Sequence, residues 1–208
     1  MDEDSLPHRD TFYAKTKLAA EQIVLDANTQ EGEPIGTVLR FGAIYGSRIK
    51  SNYSRLLKSL AHGKFIPIGK GRNRRTLIYD RDVARAAVLA AEHPAAAGKI
   101  FNVSDGQFHK LTDIIRTICK ALGRTPPRLS IPVAPARFMA GLMEDAFRLV
   151  SRKSPISRDT IEKYTEDISV DSQLIQRELG FKPQFDLESG WRETIRRNAK
   201  NGPFVNGD

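Results

Sequence analysis

The sequence has a single cysteine, one tryptophan and no uninterrupted apolar stretch near the ~20 residues that a bilayer span requires. The lone Cys119 rules out an internal disulfide framework, and its place in an apolar helical pattern reads as a small core residue. Without a long apolar run no membrane-spanning helix is expected. The acidic start, Met1-Asp-Glu-Asp4, is the opposite of a basic signal-peptide head, so the expected location is cytoplasmic. There is no internal repeat and no low-complexity tract. Among the 15 glycines, no Gly-x-Gly-x-x-Gly turn occurs. That turn is what aims a helix N-terminus at the pyrophosphate of a dinucleotide.

What is present suffices for a packed core: 208 residues, 40% of them hydrophobic and 28% charged. The formal charge of +8 and pI near 9.7 raise the question of nucleic acid. The basic residues are scattered along every segment, and no aromatic stacking platform accompanies them, so nucleic-acid binding is not expected.

The pattern along the chain alternates strands and helices, the mark of an α/β layer. An apolar stripe at helical spacing (Leu18, Ala19, Ala20, Ile23, Val24, Ala27) predicts a helix over 13–28 that packs against a sheet. Thr37 to Phe41 reads as a buried strand, Tyr53 to His62 as a second helix, and Lys64 to Ile68 as an edge strand because Pro67 cannot donate to a central ladder. Thr76 to Tyr79 and Lys99 to Val103 are further strands. They flank an alanine-rich helix from Asp82 to Glu92. The most regular helix carries Leu111, Ile114, Ile115, Ile118 and Leu122, closed by Gly123. Beyond Arg124 prolines break the chain, and Phe138, Leu142, Met143, Phe147 and Val150 form an amphipathic helix. Arg148, Arg152 and Lys153 beside that helix suggest a membrane surface, but Glu144 and Asp145 oppose anionic lipid, so core packing is the expectation. Asp171 is read as the cap of a helix carrying Leu174, Ile175 and Leu179. A last helix uses Leu187, Trp191 and Ile195, and the tail, Asn201 to Asp208, is expected to be disordered.

The chemistry concentrates in Tyr13-Ala-Lys15-Thr-Lys17. Residues four apart share a helix face, so the Tyr13 phenol and Lys17 ammonium can enter one site, where the cation favours the phenolate over the reference pKa of ~10. Further on come Thr37-Val-Leu-Arg-Phe41 with Gly42-Ala-Ile-Tyr-Gly46, then Gly69-Lys-Gly-Arg-Asn-Arg-Arg75 before Thr76-Leu-Ile-Tyr79 and Asp80-Arg-Asp82. Glu178-Leu-Gly-Phe-Lys-Pro183 and Leu187-Glu-Ser-Gly-Trp191 follow. In this order the set resembles the extended short-chain dehydrogenase/reductases, specifically the NAD-dependent nucleotide-sugar epimerase/dehydratase family, from about Pro7 to Ile195. Without the glycine turn, the chain looks like the C-terminal half to two-thirds of that family's fold.

The resemblance implies an α/β fold: a partial Rossmann-like, doubly wound parallel sheet with a smaller mixed α/β substrate-binding region. Residues 1–50 would be the remainder of the NAD-binding domain, and 51–200 mainly the nucleotide-sugar region with a few elements returning to the Rossmann-like layer. It implies hydride transfer at the 4-position of a UDP-linked hexose, by C4 epimerisation or 4-keto reduction, for polysaccharide precursor synthesis. Tyr13 would be the base and Lys17 its neighbour that also holds the nicotinamide ribose; Phe41, Gly42 and Ile44 would border the cofactor. Asn52, Phe65, Ile66 and Arg75 would bind the sugar nucleotide, with Arg75 on the diphosphate. Bland readings stand beside these: sheet core for Phe41, an N-cap for Asn52, edge-strand packing for Phe65 and Ile66. Gly42-Ala43 replaces the aromatic-asparagine pair of many epimerases, and Tyr79-Asp80-Arg81-Asp82 replaces a hydrophobic-Asp-Asp step.

NAD is the implied cofactor, with NADP left as the alternative because the residue that reads the ribose is not in the sequence. Tight binding by this chain alone is not expected, since the pyrophosphate finds no helix N-terminus. A catalytically silent nucleotide-sugar-binding domain is therefore the alternative. The expected sheet edge and helix face left uncovered imply a homodimer or a complementary N-terminal half as partner.

Overall fold

The computed structural model of the chain describes residues 1–5, 11–149, 154 and 157–200. The elements run α1 (Phe12–Leu25), β1 (Val38–Phe41), β2 (Ala43–Tyr45), α2 (Asn52–Ala61), β3 (Arg74–Arg75), β4 (Leu77–Tyr79), α3 (Asp80–Glu92), a 3-10 turn (Pro94–Ala96), β5 (Ile100–Val103) and β6 (His109–Lys110). They continue with α4 (Leu111–Ala121), α5 (Val133–Leu149), α6 (Arg158–Thr165), α7 (Gln173–Leu179) and α8 (Leu187–Lys200). The expected disordered tail, 201–208, and half of the acidic N-terminal stretch, 6–10, lie outside the described residues, as do Val150, Arg152 and Lys153.

The chain divides into two units. The first is Met1–Ile49, Thr76–Gln107 and Ser169–Gly190. Here β1 pairs parallel with β5, Val38 opposite Ile100 and Phe41 opposite Val103, and β2 pairs parallel with β4, Ala43 opposite Leu77. Helix α3 follows β4 directly and leads through the 3-10 turn to β5. The backbone changes partner at Gly42, whose N–H donates to Val103 O at 2.8 Å while Ala43 N–H donates to Thr76 O at 2.9 Å. A Cβ at Gly42 would stand 3.0 Å from the Thr76 carbonyl oxygen, so close backbone approach explains the glycine.

The core of this unit joins Ile78, Phe101 and Val103 from the strands to Ala86 and Ala90 of α3 and Ile175, Leu179 and Phe181 around α7. Small alanines let α3 lie close to the strands. Asp82 of α3 is fully buried, and its carboxylate accepts from Gln184 N–H (3.0 Å), Phe185 N–H (3.0 Å) and Arg85 Nη1 (2.8 Å). A charge that deep persists because it is paired and fully hydrogen-bonded. It fastens the segment after α7 to α3.

Helix α1 departs from expectation. It ends at Leu25, and none of its residues is buried; Ile23 is 73% exposed and Ala19 and Ala20 face solvent. Its attachment to β1 is polar instead: Glu21 takes three charge-assisted bonds from Arg40, the shortest 2.6 Å, and Arg40 Nη1 donates to Glu3 O at 3.0 Å. The Glu21 carboxylate holds the Arg40 guanidinium above its usual pKa. Gly36 permits close approach, because a Cβ there would collide with the Val24 carbonyl.

The second unit is Lys50–Arg75, Phe108–Ile168 and the chain from Trp191. Helix α4 buries Leu111, Ile114, Ile115, Ile118 and Cys119, and α2, which contributes Leu57 and Leu60, packs against it. β3 and β6 pair antiparallel, Arg74 opposite Lys110 and Arg75 opposite His109. The edge strand expected at 64–68 reduces to one bridge, Ile68 to Ile131, with Ile131 N–H donating to Pro67 O at 2.9 Å. Pro67 has no N–H with which to extend the pairing.

Helix α5 is the larger correction. It begins at Val133, ahead of the expected start, and takes Pro135 into its first turn, where no backbone donor is needed. The face turned inward is made of small residues, Ala136 and Ala140, packed with Ile161 of α6 and Ile68. Phe138 (65% exposed), Met139 (62%), Leu142 (51%) and Met143 (39%) point outward, so core packing of these large side chains does not occur. Gly141 lies under the Arg158 guanidinium, which would have to shift to admit a larger residue. The α7 cap also differs: Ser172 holds the N-cap position, and Asp171 Oδ1 takes the Gln173 N–H at 2.9 Å.

Candidate functional site

In the first unit the site starts from Thr11, whose hydroxyl accepts the Ala14 N–H at 3.1 Å and so sets the first turn of α1. That fixes Tyr13 in the first turn and Lys17 one turn on. The two side chains share an exposed face, with Lys17 Nζ 5.8 Å from the centre of the Tyr13 ring, and Tyr13 is 70% exposed. A phenol and an ammonium so disposed can exchange a proton with a bound hydroxyl and present a cation to a neighbouring ligand.

Phe41 and Ile44 are half-buried and pack against the core cluster of the strands and α3, and Gly42 is accounted for by Thr76. The fit of a dinucleotide to this unit is therefore uneven. Tyr13 and Lys17 are open to a ligand, whereas the space beside Gly42 is filled by the chain's own backbone.

In the second unit the centre is Arg75. Pairing of β3 with β6 holds its backbone, and its Nη2 donates to Lys163 O at 2.7 Å and Tyr164 O at 2.9 Å. Those two carbonyls fix the plane of the guanidinium and leave its remaining donors for a ligand. Asn73 Nδ2 donates to Tyr164 O at 3.0 Å, and Arg74 pairs with Asp167 at 3.7 Å, so β3 and the end of α6 are laced together. Asn52 is the first residue of α2 and exposed; Ser51, not Asn52, holds the N-cap position. Phe65 is half-buried, and Ile66 is 56% exposed on the segment after α2.

Sequence reasoning missed Tyr53 and Tyr164. Burial pushes the Tyr53 phenol up to about 12, with Arg75 opposing the shift, and its ring tilts against Trp191 at 6.3 Å. Burial likewise raises Tyr164. A tyrosine next to Asn52 was visible in the sequence, but nothing there links position 164 to Arg75. Among the described residues no cluster of three or more His, Cys, Asp or Glu side chains could hold a metal ion, and no helix is long and apolar enough to cross a membrane.

Parallel strand pairs with α3 packed on them, and a tyrosine–lysine pair on an exposed helix, fit a Rossmann-type protein of the short-chain dehydrogenase/reductase class. The model of the NAD dependent epimerase/dehydratase family matches residues 1–104, and the chain belongs to that family. A UDP-glucose 4-epimerase from Vibrio cholerae is 24% identical over 93% of this chain and 55% of its own length. A 2-alkyl-3-oxoalkanoate reductase from Stenotrophomonas maltophilia is 27% identical over 94% of this chain and 62% of its own. The crystal structure of a UDP-glucuronic acid 4-epimerase from Bacillus cereus in complex with NAD superposes with a TM-score of 0.69 at 20% identity, over 97% of this chain and 56% of that one, a likeness of fold. The chain spans little more than half the length of the curated relatives it matches.

Proposed function

We propose that the chain is the proton-exchanging and sugar-nucleotide-binding part of an NAD-dependent oxidoreductase acting on a UDP-linked hexose, by C4 epimerisation or reduction of a 4-keto sugar, in the cytoplasmic synthesis of polysaccharide precursors. The observation that carries it is the exposed Tyr13–Lys17 pair, with Lys17 Nζ 5.8 Å over the phenol ring. Bound NAD, or NADP, would supply the hydride acceptor. Tyr13 would take the proton of the sugar hydroxyl, and Lys17 would hold the ribose and face the phenol as its nearest cation. Phe41 and Ile44, from their places at the core surface, would border the cofactor with Gly42. On the second unit Arg75 would neutralise the diphosphate, with Asn52 on the sugar and Phe65 and Ile66 against the base.

One fact favours a second reading, a nucleotide-sugar-binding domain silent by itself: the uncovered α1, with Ile23 73% exposed. In that reading a complementary N-terminal half or a second copy covers α1 before turnover begins.

The test combines binding and turnover. UDP-glucose titrated into the chain should bind, and Arg75→Ala should weaken that binding about tenfold or more while Tyr13→Phe leaves it unchanged. With NAD added, conversion to UDP-galactose should fall by ~10²–10⁴ in Tyr13→Phe. Binding without any turnover by the unaltered chain selects the silent reading. Absence of UDP-glucose binding rejects the substrate class, and unchanged turnover in Tyr13→Phe rejects the base.

A further inference from the structure

Helix α5 is built against the usual grain. Its inward stripe is alanine, while Phe138, Met139, Leu142 and Met143, at i, i+1, i+4 and i+5, form one continuous outward face of large apolar side chains. In the chain leading into the helix Leu129, 81% exposed, Ile131 and Val133 are uncovered as well. Contiguous exposed apolar surface on this scale marks an interaction surface.

The charges around it decide the partner. Residues 124–165 carry eight basic side chains (Arg124, Arg128, Arg137, Arg148, Arg152, Lys153, Arg158, Lys163) against four acidic ones (Glu144, Asp145, Asp159, Glu162). Glu144 and Asp145, which in the sequence argue against anionic lipid, are both engaged by Arg158, at 3.7 and 3.3 Å. Glu162 is paired with Arg137 at 2.8 Å and Asp159 with Lys163 at 2.8 Å. The acidic groups are thus spent within the unit, and the positive excess remains, with Arg124, Arg128 and Arg148 exposed. An apolar helical face of phenylalanine, leucine and methionine beside surplus arginine matches a bilayer interface bearing anionic headgroups. A second copy of the chain would bring the same surplus charge against itself.

We infer that the outward face of α5 docks on an anionic phospholipid surface, seating Phe138, Met139, Leu142 and Met143 at the headgroup–acyl boundary while the arginines meet phosphate. The helix of 17 residues is about 25 Å long and would lie in the interface rather than cross it.

The test is co-sedimentation of the full chain with vesicles of phosphatidylcholine alone or with a third phosphatidylglycerol. The chain should pellet with the anionic vesicles and release at 0.5 M salt, a value about three times the physiological ~0.15 M. The double variant Phe138→Ser with Leu142→Ser should bind at least about tenfold more weakly while keeping the wild-type circular dichroism. A second readout needs no variant. Peroxide oxidation of Met139 and Met143 should be suppressed by anionic vesicles, whereas Met1, 56% exposed and outside the helix, should oxidise as before. No pelleting with anionic vesicles, or no protection of Met139 and Met143, overturns the inference. A concentration-dependent dimer that is abolished by the double variant, without vesicle binding, assigns the face to a second copy instead.

Discussion

Helices α4 and α5 are both rich in apolar side chains and end in opposite situations. In α4 the apolar residues fall at 111, 114, 115, 118 and 119, a single stripe, and all five are buried. In α5 there are two stripes, one of alanine and one of large residues, and packing selects the alanines. The alanine face lets α5 approach Ile161 and Ile68 closely, and dispersion contacts are densest where backbones come nearest. Hydrophobicity sets which residues are able to be buried; side-chain volume against a specific neighbour sets which of them are.

The strongest way to break the comparison is to hollow α4. Ile114→Ala should cost ~2–5 kcal/mol in urea unfolding, because Ile114 is wholly buried and its site is closed by α2. A cost no larger than that of an exposed substitution would mean that α4 is not the core element described. Next in size is Ala140→Leu, which forces a large side chain into the alanine stripe and should cost ~1–3 kcal/mol by overpacking against Ile161. A stable Ala140→Leu protein with a repacked α6 would show that the choice of face was not steric.

The smallest effect concerns α2, which leans on α4 and carries Tyr53. Its phenol is raised to about 12 in the folded protein against ~10 unfolded, so its contribution to stability is complete below pH ~10 and is lost as pH rises through about 12. Unfolding free energy measured across that window should fall with pH, and Tyr53→Phe should flatten the slope. An unchanged slope in the variant would assign the alkaline loss elsewhere.

The candidate site divides along similar lines. The Tyr13–Lys17 pair was legible because a four-residue spacing on a helix is a property of the sequence, and the structure places Lys17 Nζ over the ring. Arg75 could also be picked out in the sequence as a candidate, but what orients it could not: Lys163 and Tyr164 supply backbone carbonyls, which no side-chain pattern announces. Asp82 shows the same limit. Its acidity near the start of α3 was visible, yet its bonds to Gln184 and Phe185 join positions about a hundred residues apart.

By itself the sequence determined strands β1, β4 and β5, the helices other than α6, the α4 stripe, the glycine stops and the family, because these rest on local periodicity and on motifs read within a few residues. Tertiary structure alone decided that α1 attaches through Glu21 and Arg40 rather than through its apolar stripe, that α5 turns its large side chains outward, and that Arg75 is held by two carbonyls. Those outcomes depend on which atoms arrive beside a surface from distant parts of the chain, and local pattern carries no information about that.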